Sequence, residues 1–465
     1  MTRLSVEMLA ADTPPPITSA GHAQLGIAVL VGIAVIVLLI TKFKLHAFLA
    51  LTVGSLVLGA VAGAPLDKAI TSFTTGLGAT VAGVGVLIAL GAILGKLLAD
   101  SGGADQIVDT ILARAGGRAM PWAMVLIASV IGLPLFFEVG IVLLIPVVLM
   151  VARRGNYSLM RIGIPALAGL SVMHGLIPPH PGPLVAIDAL HANVGVTLAF
   201  GILVAVPTVI IAGPLFSKVA ARWVDVPAPD RMLPQRTSEE LERRPGFGAT
   251  LATVLLPVVL MLAKALVDIV VDDTTDRTQR VFDVVGSPLI ALLAAVLVGF
   301  FTLGRPAGFT RDRLRQTVES GLMPIAGILL IVGAGGGFKQ TLIDSGVGQM
   351  ILDVSKYWSI PALLLAWLIA VAIRLATGSA TVATVSAAGL VAPLAADMST
   401  THTALLVLAI GAGSLFFSQV NDAGFWLVKE YFGLSVGQTV KTWSVMETII
   451  SVVGGGLVLL LSLVV

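Results

Sequence analysis

Long apolar blocks run from Leu25 to the end of this 465-residue chain, and polar residues interrupt them at a few defined places. Blocks of this length read as membrane-crossing helices. The pattern predicts spans at 24–41, 45–63, 80–99, 158–190, 194–217, 249–271, 286–304, 322–343, 402–432 and 444–465. Two of them are interrupted. Span 158–190 contains His174-Gly-Leu-Ile-Pro-Pro-His-Pro-Gly-Pro183, and span 402–432 contains Ser418-Gln-Val-Asn-Asp-Ala-Gly424. Proline lacks an N–H and clashes with the preceding turn, so the first of these segments cannot be regular helix. Two more apolar stretches, 121–152 and 361–396, are split by Gly132, Pro134 and Glu138 and by Arg374–Thr381 respectively. Legs of about 13 residues reach roughly 20 Å, short of a hydrocarbon core of about 30 Å. Both stretches are therefore expected to be re-entrant hairpins, tolerated where protein or water satisfies the backbone. Ordinary kinked spans are the competing reading.

Charge supports this layout. With the N-terminus outside, the outer segments hold only Arg3, Lys68, Arg277, Arg280 and Lys356, and the other loop cations fall inside, as the positive-inside rule requires. Both termini are then outside. The chain also repeats itself. Leu98-Ala-Asp-Ser-Gly-Gly103 parallels Leu342-Ile-Asp-Ser-Gly-Val347, and a hairpin follows each. His174 and Asn421 stand 28 residues beyond Pro146 and Pro393, each three residues after a serine, Ser171 or Ser418. The fold class expected is an all-α polytopic membrane protein with an inverted repeat, five transmembrane helices plus one re-entrant hairpin in each half. Its parts are a polar segment 1–23, a first repeat 24–217, a cytoplasmic linker 218–248 and a second repeat 249–465. Such repeats organise secondary transporters around a midplane site.

Composition agrees and narrows the chemistry. The chain is 57% hydrophobic and 12% charged, against roughly 25% charged in soluble domains. It has no cysteine, which excludes disulfides, thiolate metal sites and cysteine nucleophiles. No nucleotide-binding fingerprint is present, so ATP drive is not indicated. The first residues lack the apolar core of a signal peptide, and the run from Leu25 reads as a retained span. No cofactor, resident metal or nucleic-acid partner is expected.

Candidate chemistry lies at the four discontinuities. Glu138, in the first tip, is a costly carboxylate at membrane depth and a proton-coupling candidate; a structural pairing is the alternative. In the first interrupted span, Ser171, His174, His180 and Gly182 are substrate-site candidates. Either histidine can titrate near neutral pH, or can be a satisfied buried residue. In the second tip, Thr377, Gly378, Ser379 and Thr381 offer hydroxyls and helix-end N–H groups suited to a carboxylate; small-residue packing is the plainer reading. Arg374 clamps a carboxylate bidentately or pairs with an acid within the hairpin. In the second interrupted span, Ser418 and Asn421 are substrate-site candidates, Gln419 and Asn421 suit sugar-like hydroxyls, and Asp422 is the second proton-coupling candidate.

The segments LPLFFEVGIVLLIPVV, LSVMHGLIPPHPGP, GAGGGFKQTLIDSGV, RLATGSATVATVSAAGLVAP and SLFFSQVNDAGFW resemble the gluconate permease family of gluconate:proton symporters. The likeness runs from about residue 24 to the C-terminus. It implies a cytoplasmic-membrane importer of gluconate or a related hydroxy acid, coupled to protons. Some members take up D-serine or other acids. The family's superfamily, the ion transporter superfamily, implies a scaffold, a mobile transport domain working as an elevator, and a homodimer. Competing readings are a sodium-coupled carboxylate transporter on the same scaffold, a channel and an intramembrane enzyme; no nucleophile–base spacing argues for the last.

Overall fold

The computed structural model describes residues 16–226, 243–271, 276–323, 325–350, 360–419 and 422–465. Among these the chain is helical, without strands. In order the helices are α1 (His22–Thr41), α2 (Ala47–Val61), α3 (Leu66–Asp100), α4 (Gly103–Arg114), α5 (Met120–Gly132), α6 (Phe137–Arg154), α7 (Leu159–Leu176), α8 (Pro181–Leu190), α9 (Val194–Trp223) and α10 (Phe247–Val270). They continue with α11 (Arg277–Val285), α12 (Pro288–Gly304), α13 (Arg311–Leu322), α14 (Ile325–Asp344), α15 (Ala362–Thr377), α16 (Ala380–Ala395), α17 (Thr400–Ser414), α18 (Ala423–Phe432) and α19 (Val436–Leu461). Seven of the described spans are long and apolar enough to cross a membrane, taking α7–α8 as one; the α11–α12 pair, bent by 63°, makes an eighth. The protein is a multi-pass membrane protein.

Both interrupted spans and both split stretches break where the residues demand it. The proline run ends α7 and starts α8: Ile177 is extended, and Pro181 occupies the first turn of α8 behind His180 as N-cap. That position wastes no hydrogen bond and suits proline's fixed φ. Glycine ends α15, because Gly378 is left-handed at φ 73°, a conformation that costs a side-chain-bearing residue more. The second leg of the first hairpin, α6, has 18 residues and is longer than the thirteen expected.

Polar stretches account for the other differences. Helix α3 begins at Leu66 rather than 80, and its early hydroxyls are satisfied one turn back, Thr71 to the Asp67 carbonyl at 2.8 Å and Thr74 to that of Ile70 at 3.0 Å. The stretches 103–114 and 311–322, read as loops, form α4 and α13; Thr310 caps α13 through the Arg313 N–H at 3.2 Å. The linker expected at 218–248 starts inside α9 and ends inside α10, and residues 227–242 lie outside the described ones.

Small residues set the long-range packing. Helices α3 and α14 cross along Gly76, Gly333, Gly336 and Gly337. A Cβ on Gly76 would stand 2.3 Å from the Gly336 carbonyl oxygen, so only glycine permits this approach of two backbones. Beside the crossing, the hydroxyls of Ser55 and Thr341 share a buried hydrogen bond of 2.8 Å. Helices α7 and α17, the first legs of the interrupted spans, meet the same way: a Cβ on Gly411 would lie 2.3 Å from the Gly175 carbonyl oxygen. That contact positions the chain breaks that follow.

Candidate functional site

Three helix starts and parts of four further helices converge on a cavity of about 250 Å³. The N-terminus of α6 contributes Phe137, that of α16 contributes Ser379, Ala380 and Thr381, and that of α18 contributes Asp422, Ala423 and Gly424. Ser171 and His174 come from α7, Arg374 and Thr377 from α15, Trp443 and Glu447 from α19, and Ile40 from α1. The first N–H groups of a helix have no intrahelical acceptor, and the summed peptide dipole makes this end positive. Three such ends around one small cavity favour an anion. Ser379 caps α16 by accepting from the Val382 N–H at 3.3 Å, leaving the cavity-lining Ala380 and Thr381 as the turn facing that anion.

Arg374 and Asp422 in the wall are paired. The Arg374 guanidinium, 4% exposed, donates through Nη2 to Asp422 Oδ2 and through Nη1 to the Gly378 carbonyl. Asp422 also caps α18 by accepting from the Gly424 N–H at 2.9 Å, and it accepts from the Ser418 hydroxyl. Ser418 in turn accepts from Trp443 Nε1 at 2.7 Å, and Gln419 Nε2 donates to the Leu375 carbonyl at 3.2 Å. One network therefore ties the second hairpin, the second chain break and α19. The acid that meets Arg374 stands on the interrupted span, not within the hairpin.

The histidines divide their positions. His174 lines the cavity; its ring lies 6.5 Å from that of Phe137 and meets His180 edge-on at 5.4 Å. His180 is 3% exposed and stands behind it, with Nε2 donating to the Gly132 carbonyl at 2.7 Å. It thus fastens the first chain break to the first hairpin tip. His180→Ala removes the donor and leaves a buried carbonyl unsatisfied, at a cost of about 1–3 kcal/mol. A lowered melting temperature in detergent is expected; an unchanged one would mean that Gly132 finds another partner.

Of the residues singled out from the sequence, the cavity wall brings together Ser171, His174, Arg374, Thr377, Gly378, Ser379, Thr381 and Asp422. Ser418 stands behind Asp422. Gly182 faces Thr384 across a gap that would hold a Cβ 3.5 Å from its hydroxyl oxygen, away from the cavity wall. Asn421 lies outside the described residues, as does the side chain of Glu138, whose backbone is in the first turn of α6.

The GntP family permease profile matches residues 25–464. A gluconate permease of Pseudomonas aeruginosa is 50% identical over 95% of this chain and 98% of its own length. The chain belongs to the GntP permease family. Escherichia coli K12 relatives of this GntP permease include a high-affinity gluconate transporter, 43% identical over 94% of the chain and 99% of its own length. Another is the Gnt-II system L-idonate transporter, 40% identical over 92% and 97%. The family comprises transporters, not enzymes. In fold, the permease is similar to the YdaH transporter of Alcanivorax borkumensis, with a TM-score of 0.60 and 17% identity over 84% of this chain and 88% of that one. MtrF of Neisseria gonorrhoeae is comparable, with a TM-score of 0.61 and 16% identity over 84% of each.

Sequence reasoning missed Phe137, Trp443 and Glu447 in the wall of this permease. Glu447 carried a usable signal, a lone acid inside the apolar run 444–465, where a carboxylate is by default functional. Trp443 had none. It reaches Ser418 because residues 440–444 are wound as a π-helix, a feature common at functional sites and invisible to a 3.6-residue periodicity.

Proposed function

We propose that the protein imports gluconate or a closely related hydroxy acid together with protons across the cytoplasmic membrane. The observation that carries this reading is the cavity: three positive helix ends, the hydroxyls of Ser171, Thr377, Ser379 and Thr381, and a guanidinium already paired. That is a site for one small, hydroxyl-rich anion. The names of the relatives support gluconate, with idonate, its stereochemical neighbour, as the natural competitor.

In this reading the substrate carboxylate rests on the Gly378–Thr381 turn. His174 and Ser171 meet its hydroxyls, together with Asn421. His180, Gly182 and Ser418 hold the wall from behind, and Arg374 orders the tip through Asp422. Glu138 and Asp422 remain coupling candidates from the sequence. The inverted repeat gains support from matched helix ends: Asp100 and Asp344 each close a long helix before a left-handed glycine, Gly102 at φ 71° and Gly346 at φ 81°. An elevator movement, a homodimer and outside termini belong to the same proposal.

In proteoliposomes, labelled gluconate should accumulate under an inward proton gradient without sodium. Unlabelled idonate should compete better than D-serine. Equal uptake with the proton gradient collapsed would sink the coupling; strong uptake of D-serine with none of gluconate would sink the substrate.

A further inference from the structure

The cavity wall holds one acid that the fold does not use. Glu447 sits on α19 at the cavity, 1% exposed. Its Oε1 has no hydrogen-bond partner among the described residues. Facing it are Ser171, which hydrogen-bonds to the side chain, and His174 on α7, Arg374 on α15 and Asp422 at the start of α18. Arg374 gives its Nη groups to Asp422 and the Gly378 carbonyl, and although its charge is felt at Glu447 and its Nε has no hydrogen-bond partner, no hydrogen bond joins the two side chains. A buried polar atom left unsatisfied is costly to a stable fold, and one Ser171 hydrogen bond leaves Oε1 in that position.

We propose that Glu447 carries the coupled proton, and that its neutral form is what admits the substrate carboxylate to the cavity. This inference rests on the proton-coupled reading above. Arg374 and Asp422 cancel, so Glu447 adds or removes one charge in a wall that also holds His174. Ionised, it adds one negative charge beside the place where the anion must sit. Neutral, it removes that charge and leaves the starts of α6 and α16 to attract the anion. It also gains an O–H donor that a carboxylate lacks. A unit charge lining the same small cavity changes anion affinity by about tenfold or more. Proton and substrate therefore bind together, cross together and leave together. The proton forms an O–H bond on one side and breaks it on the other, and no bond of the substrate changes.

Glu447→Gln fixes the side chain in a neutral form of the same shape. In proteoliposomes the variant should exchange labelled for unlabelled gluconate, yet should not accumulate it under an inward proton gradient. Wild-type protein should do both. Separately, difference infrared spectra on acidification should show a carboxylic-acid band in wild type that is lost in Glu447→Gln and displaced in Glu447→Asp. Proton-driven accumulation by Glu447→Gln at the wild-type level overturns the proposal. So does a folded Glu447→Gln that neither exchanges nor binds gluconate. If Glu447→Gln does not fold, the band in Glu447→Asp decides: displaced supports the assignment, unmoved overturns it. If wild type itself ignores the proton gradient, the coupling reading falls first, an outcome distinct from a proton-driven wild type with a proton-driven Glu447→Gln.

Discussion

Arg374→Ala is expected to abolish gluconate uptake and to cost about 3–5 kcal/mol of stability, the range seen when one partner of a buried ion pair is removed. The side chains are 4% and 15% exposed, so water cannot replace the lost guanidinium. Asp422 would remain as an uncompensated charge at the start of α18, and the Gly378 carbonyl at the hairpin tip would lose its donor. Asp422→Asn should be comparably damaging for the converse reason, because it strands the guanidinium. The informative comparison is Arg374→Ala with Asp422→Ala. The double variant removes both charges and should be more stable than the sum of the single effects predicts, with a coupling of about 0.5–3 kcal/mol for groups in contact. Melting temperatures of the four proteins in one detergent test this. Additive losses would mean that the pair contributes nothing as a pair.

Gly411→Ala is the second large effect expected. The added Cβ would lie 2.3 Å from the Gly175 carbonyl oxygen, and that atom cannot swing away as a flexible side chain could. Overpacking of this kind costs about 1–3 kcal/mol. The shift also reaches the site, since His174 precedes Gly175 and Leu415 follows α17, and both line the cavity. Uptake should therefore fall through a raised KM as well as through stability. Gly456→Ala is the matched control. There a Cβ meets nothing within 4 Å, and alanine improves helix propensity by about 1 kcal/mol. A Gly411→Ala protein with wild-type KM and melting temperature would show that α7 and α17 can separate without consequence.

Much of the architecture was legible because the bilayer simplifies it. Apolar blocks became spans within a few residues for α1, α9, α10 and α14. The chain breaks were announced by Pro178, Pro179 and Pro181 in one half and by the polar run 418–424 in the other. Where polarity and helicity part company, the reading failed, as in the early turns of α3 and in α4 and α13. These helices satisfy their polar side chains locally or at the surface, and hydropathy does not report that. In the site, residue types at the second hairpin tip pointed to an anion, and the cavity holds most of the residues named. The partner of Arg374 was not legible, because Asp422 lies 48 positions away and only the fold brings them together. Glu447 was legible in principle but hidden in a run that otherwise reads as one more span.

The glycine crossing of α3 with α14 bears on how the chain is made. Ser55 waits for Thr341, 286 residues later, and Gly76 waits for Gly336. A chain synthesised from its N-terminus at about 5–20 residues per second spends on the order of ten seconds or more with that face of α3 bare. The first half is thus inserted before it can be finished. This close-fitting surface is completed only by the second half, so the two halves mature as one unit rather than in succession.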